Sequence, residues 1–594
     1  MSQMKKIILF LLYGFTLVVH AQNEQLAQNY FDRGEFEKAL ISYQELLKTQ
    51  IGNSNYFERT IECFQQLKQF DKSEKELNER YTKYKQGNLL VQLGFNYQLQ
   101  KDQVKANKYY DEALDVIRKN PNEVYAIAYL FEKKGIIEYA LQSYQIALEK
   151  DPKLNFNFQM ALLYGQKGDT DMMIEKFLNE AYDNQQNNII IQNQLSRFMT
   201  EEGEEAFNEL LKKKLLLRAQ KSQDLFWNEY LSWYYVQLKE YGKAFTQEKA
   251  IYKRNPESFA NIVNLAQLAI EENQEEEATE ILQFVLENTQ DLDLQIQSHS
   301  YLMEMKIKKV QEKDYPTINK ELDDLIKKFG VTPYSLSLLK IKAHFATFNM
   351  KEVELGKTIL KNALEMPLNK YQIADVKMEL ADVMLFEEKF NQALLYYSQI
   401  EDDMKNDVIG QEASFKTART SYFKEDFKWA SHQLKVLKSA SAQLIANDAL
   451  DLYLLISDNS VEDSTQVALK KFAKADFLVY QGKKAAALVA FQNILKENKG
   501  DAIVPVTLLR IGKIFEQQND YTSALSNYKQ ILDNFKECIY VDEALFFSAE
   551  IYNQLKDSDK AKPLYEEIIT KHPDSIYYVT AQKKYRQLRG DKDI

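Results

Sequence analysis

The chain has 594 residues, with 76 Lys plus Arg against 87 Asp plus Glu and a formal charge of −11 at pH 7. An acidic balance of this kind argues against nucleic acid as a partner. Only 9 Pro and 17 Gly favour an almost entirely helical chain, and two Cys exclude a disulfide-stapled scaffold, so stability must come from packing.

Residues 1–21 read as a cleaved secretory leader. Lys5 and Lys6 open it, Ile7 to Val19 is a mostly apolar run, and Val19-His20-Ala21 sets small residues where a signal peptidase reads, with cleavage after Ala21. As a helix that run would be about 20 Å long, short of the ~30 Å a bilayer core requires. No Cys follows it before Cys63, so the mature chain is expected to carry no lipid, and no later run is long and apolar enough to span a membrane. Losing Lys5 and Lys6 takes the charge from −11 to −13.

Residues 22–183 form the first block of repeats. Small residues expected to open second helices stand at Ala39, Ser73, Ala106 and Ala140, with Met173 in the fifth place. Four residues after each comes Tyr43, Leu77, Tyr110, Tyr144 or Phe177. Twelve residues before each comes Ala27, Ile61, Gly94, Ala128 or Ala161, and three further on Tyr30, Phe64, Tyr97, Phe131 or Tyr164. Small residues let two helices cross at about 8–10 Å, while the aromatics fill the space between hairpins. Asp151-Pro152 and Asn255-Pro256 should end second helices, because the residue before Pro is pushed out of the helical region.

Residues 184–370 are helical but irregular. Ala244 and Ala278 mark hairpins, 184–222 lack an anchor pair, and 290–370 resist phasing, with Pro316 and Pro333 expected in first turns. Residues 371–594 regain the pattern at Ala393, Ala430, Ala487, Ala524 and Ala561. A polar stretch, Ser457 to Thr465, interrupts them. Pro563 predicts a late start or a kink in the last second helix, and Ser575 to Leu588 reads as a capping helix.

The spacings, with Leu93-Gly94-Phe95-Asn96-Tyr97 as an L-G-x-x-Y fragment, resemble the tetratricopeptide repeat, a hairpin of roughly 34 residues. The resemblance implies an all-α fold: a right-handed superhelix of about 14–15 hairpins with a C-terminal capping helix. The C-terminal half, with His572-Pro573-Asp574-Ser575 ahead of a helix, also resembles the repeat modules of Gram-negative envelope proteins, including the lipoprotein of outer-membrane protein assembly. This chain departs from that lipoprotein in its length and in lacking the lipidated Cys. The expected location is therefore the periplasm, with peripheral association to the outer membrane.

In the repeat family the first helices line a concave groove. The resemblance places Val91 and Phe95, Tyr125 and Tyr129, Phe158 and Leu162, Trp233, and Phe415 and Arg419 on it, with Tyr422 one turn beyond. Of these, Phe95, Tyr125, Tyr129, Phe158, Trp233, Phe415, Arg419 and Tyr422 are the candidate partner-binding residues, unless the same aromatics pack between repeats or under a fold-back of the superhelix. The Asn of the family's carboxylate clamp is missing: its places hold Gln28, Glu62, Phe95, Tyr129 and Leu162.

His299, His344, His432 and His572 are scattered, and no Cys-x-x-Cys, H-E-x-x-H, phosphate-binding glycine loop or G-x-S-x-G is present, so no metal, cofactor or catalytic site is expected. The acids from Glu271 to Glu280, Glu401-Asp402-Asp403, and the basic run from Lys583 to Lys592 read as solvated helix ends and faces. Two functions remain. One is a periplasmic, non-catalytic scaffold for protein partners in an envelope assembly, secretion or transport complex. The alternative is a peptidoglycan- or glycan-linked accessory factor that recruits an envelope enzyme.

Overall fold

A computed structural model of the chain describes residues 23–199, 204–222, 224–256, 259–405, 407–440, 443–460 and 466–590. The expected leader, Lys592 and residues 461–465 of the polar stretch lie outside them. Among the described residues helix follows helix and no strand occurs. Antiparallel hairpins follow one another along the chain, from residues 23–49 to Val541–Gln554 with Ser558–Lys571, and within each compact unit they stack on their neighbours as in an α-solenoid. Gln443–Asp458 and the closing Tyr578–Arg589 stand outside the hairpin series. The chain divides into two compact units, Met1–Lys214 and Leu215–Ile594.

One backbone signature sets the register. A residue with positive φ stands five places before each anchor: Gly34 before Ala39, Lys68 before Ser73, Lys101 before Ala106, Gly135 before Ala140 and Gly168 before Met173. That conformation reverses the chain after the first helix and satisfies its last carbonyls, as Glu35 N–H does at Tyr30 O. It suits glycine, yet Lys and Asn often occupy it here and accept the strain to keep the turn. Lys351, with a φ of 63°, phases the stretch the sequence left unphased: Gly356 is its anchor, on Val353–Leu364.

The anchors are core residues. Ala39, Ala106 and Ala140 are fully buried, as are Ala27, Ala128 and Ala161 on first helices. The aromatic four residues on is buried too, and its hydroxyl bonds back to the first helix. Tyr110 donates to Gln98 at 2.7 Å, Tyr144 to Glu132 at 2.5 Å and Tyr528 to Glu516 at 2.9 Å. Tyr43 donates to Gln28 at 3.0 Å and Tyr397 to Asp382 at 2.5 Å. Each of these five hairpins thus gains a polar latch that satisfies an otherwise buried hydroxyl. Burial pushes the Tyr43 phenol up to about 12.

Other expectations meet the structure unevenly. Asp151 and Asn255 end their helices, and Pro316 and Pro333 sit in first turns. Pro563 does not delay its helix, which begins at Ser558 behind an Asp557 cap and continues to Lys571. Burial of Ala561, Tyr565 and Ile568 outweighs one missing amide hydrogen bond. Both cysteines are free thiols; Cys63 is buried, and burial pushes it up to about 12. Among the described residues no helix is long and apolar enough to cross a membrane.

Glu248 is a buried acid in the helix Tyr241–Arg254, accepting a hydrogen bond from Ser232 Oγ at 2.5 Å. Burial raises its carboxyl above the usual 4.5; Ser232 opposes this and Glu229 adds to it. A raised folded-state value means full stability at pH below the unfolded value, lost as pH rises through the folded one. Glu248→Gln, which keeps the acceptor, should therefore raise the urea midpoint at about pH 7 and lose that advantage near about pH 4. Urea titrations of both proteins at the two pH values check it.

In the larger unit the solenoid turns back on itself. The helix Val467–Tyr480 packs against Lys370–Phe386 and Val408–Phe423. Phe477 lies 5.4 Å from Phe390 and 5.1 Å from Phe423, centroid to centroid. Tyr480 donates to Asp382 O at 3.1 Å, and Gln481 Nε2 to Phe386 O at 2.9 Å. Lys351 Nζ reaches Gln481 O at 3.4 Å.

Candidate protein-binding surfaces

In the N-terminal unit the candidates lie on three successive first helices, Gly87–Leu99, Val124–Lys133 and Asn157–Lys167. Tyr125 and Tyr129, one turn apart, are 60% and 62% exposed and form an open aromatic pair. The Tyr125 ring meets Phe156 edge-on at 5.5 Å, which fixes its direction. Leu162 on the next helix is exposed beside it in the series.

Phe95 and Phe158 are less available. Phe158 is half-buried, with its ring 6.0 Å from Phe177 on the following helix. Phe95 is half-buried beneath the Lys134 ammonium, 5.1 Å from the ring centre. Lys134 is held there by Glu62 at 2.9 Å, and Lys133 pairs with Glu58 at 2.6 Å. These pairs join Val124–Lys133 and its turn to Ser54–Gln66, two hairpins back, and roof over Phe95.

In the C-terminal unit Trp233 is half-buried, its ring 5.6 Å from Tyr230. Phe415, Arg419 and Tyr422 share the helix Val408–Phe423 and all line one cavity of about 610 Å³. Tyr422 is not a groove-facing side chain open to solvent: it is fully buried in the core beneath the fold-back. Arg419 lies over the rings of Phe423 and Tyr480 at 5.3 and 5.4 Å.

Facing these residues are the helices Gln443–Asp458, Val467–Tyr480 and Ile503–Glu516, with the turns before Val541 and Tyr578. They bring Asp448 and Asp451, Asp476 and Tyr480, Arg510 and Lys513, Tyr540 and Tyr577 to the cavity. The offset that selected Arg419, one residue after the small residue of a first helix, selects Asp476 after Ala475 and Lys513 after Gly512. Asp448 and Asp451 carried no such signal, because no second helix follows theirs: Gln443–Asp458 packs on the preceding Phe427–Ala440, and Val467–Tyr480 opens the next hairpin. Among the described residues, no group of three or more His, Cys, Asp or Glu could hold a metal ion.

Residues 507–537 and 543–575 match the family model described as tetratricopeptide repeat. These two stretches are tetratricopeptide repeats. Solved structures similar to this repeat protein include yeast Tom70, at 14% identity over 80% of this chain and 97% of that one, with a TM-score of 0.30. The structure of Naa15/Naa10 bound to HypK-THB is similar at 11% identity over 96% of each chain, TM-score 0.28. That of the APC/C hetero-tetramer Cut9-Hcn1 is similar at 12% over 95% and 96%, TM-score 0.26. No curated protein matches the repeat protein in sequence.

Proposed function

We propose that this repeat protein is a non-catalytic, periplasmic scaffold that holds protein partners in an envelope assembly, secretion or transport complex. The observation that carries the reading is the open pair Tyr125 and Tyr129 on a first helix. Rigid, amphipathic rings exposed on a stacked-helix surface suit the apolar anchors of an extended or helical partner segment. Export is supported by the leader pattern of residues 1–21.

The test is affinity capture of the mature chain from envelope extracts, beside a Tyr125→Ala/Tyr129→Ala variant. The wild type should retain defined envelope proteins. The variant should lose them at an unchanged melting temperature, because neither ring belongs to the core. Equal recovery by both forms would remove the tyrosine pair from the binding surface. Tight binding of wall fragments, with no protein retained, would replace the scaffold by a wall-linked factor.

A further inference from the structure

We propose that the cavity between Gln443–Asp458 and the folded-back hairpins of the C-terminal unit receives a cationic side chain, Lys or Arg, carried by a partner segment. The inference rests on the scaffold reading and names the chemistry of one of its surfaces. Charge makes the first argument. Six carboxylates line the cavity against three cations. Each cation already has company: Lys513 lies 3.4 Å from Glu543, Arg510 Nε 3.6 Å from Asp476, and Arg419 between two rings. That leaves Asp448, Asp451, Asp542 and Asp574 without a cation; Asp542 accepts a hydrogen bond from Ser575 Oγ at 2.6 Å, whereas Asp448 and Asp451, together on Gln443–Asp458, are exposed and form no hydrogen bond or ion pair with a described residue. Partial desolvation by the cavity walls, then the neighbouring charges of Glu543 and Asp448, holds the Asp451 carboxyl above its usual range, although its side chain is still open to solvent. A positive group placed there would relieve that repulsion.

A second, independent observation points into the same space. The Tyr422 hydroxyl is fully buried, lines the cavity and has no hydrogen-bond partner. Each anchor-plus-four tyrosine described above has its latch; Tyr422, on a first helix and outside that position, has none. A buried unpaired hydroxyl is destabilising, and an ammonium or guanidinium N–H donated to its oxygen would satisfy it. Tyr480, Tyr540 and Tyr577 add ring faces that attract a cation. A volume of about 610 Å³ accommodates a long side chain with its water.

The probe is acetylated, amidated hexalysine, compared with hexaglutamate by calorimetry at about 0.15 M salt. Hexalysine should bind, and Asp448→Asn/Asp451→Asn should weaken it roughly tenfold. Both residues are exposed, so that variant should keep the wild-type melting temperature. Glu271→Gln/Glu276→Gln, in the acidic helix ends elsewhere, should leave the affinity unchanged and so excludes general attraction to an acidic chain. Tyr422→Phe should keep or raise the melting temperature while weakening hexalysine. Equal affinity for the wild type and the double Asp variant, or preferential binding of hexaglutamate, overturns the inference. Either outcome leaves the envelope-capture result standing, whereas failure of capture with hexalysine still bound removes the scaffold reading alone.

Discussion

Phe477→Ala should cost about 3–5 kcal/mol, the usual range for deleting a buried aromatic side chain, and the loss should concentrate at the fold-back. The ring is 7% exposed and touches Phe390, Phe423 and Tyr480, so its removal leaves a hole between two stretches of solenoid distant in sequence. In a stacked-repeat protein neighbouring hairpins lend each other stability, and the expected readout is therefore local. Amide exchange should accelerate in Val467–Tyr480 and Lys370–Phe386, with Gln443–Asp458 losing the opposite wall of its cavity. Tyr371→Ala, which removes a half-exposed ring from the same Lys370–Phe386 helix, should leave those rates unchanged. Unaltered exchange in the Phe477 variant would mean that the fold-back does not depend on this contact.

Gly512→Ala should destabilise by about 1–3 kcal/mol through overpacking. An added Cβ would stand 2.3 Å from Tyr528 Cε1, and the Tyr528 hydroxyl is tied to Glu516 at 2.9 Å, so the ring has little room to retreat. Gly94 faces Tyr110 at the same repeat position and the same distance. Elsewhere the pairing differs: Ala128 opposes Tyr144, and Ile61 opposes Leu77. Gly512→Ala/Tyr528→Leu should recover part of the loss, as a coupled pair does and two independent sites do not. Urea midpoints of the two single variants and the double form the cycle. Strict additivity would show that the two positions are not in contact as described.

These two predictions separate what was legible from what was not. The Gly512 contact follows from spacing: the twelve- and four-residue offsets around Ala524 place small and aromatic residues on facing helices. The offsets read at Ala39, Ala106 and Ala140 likewise describe buried crossings. Phe477 carried no comparable signal. Its partners Phe390 and Phe423 belong to other hairpins, and the accompanying hydrogen bonds join residues 98 and 95 positions apart. The wide gap between Ala430 and Ala487 left room for an extra helix, now seen as Gln443–Asp458, but spacing alone could not say where it lies.

The candidate site divides in the same way. Tyr125 and Tyr129 are exposed where the helical phase puts them. Phe95 was placed by the same rule, yet Lys134, held by Glu62 two hairpins back, covers it. Phase says which way a side chain leaves its helix. It does not say what arrives from another part of the chain.

Local residue spacing specifies the helical hairpin, its crossings and the repeat along most of the chain. Those depend on contacts within about one repeat length, where local spacing dictates which residues meet. Only the tertiary structure decided that the larger unit turns back at Val467–Tyr480, buries Tyr422 and encloses a carboxylate-rich cavity beside Arg419. Those depend on contacts between distant hairpins, reached by summing small rotations from one repeat to the next, and no single spacing records that sum.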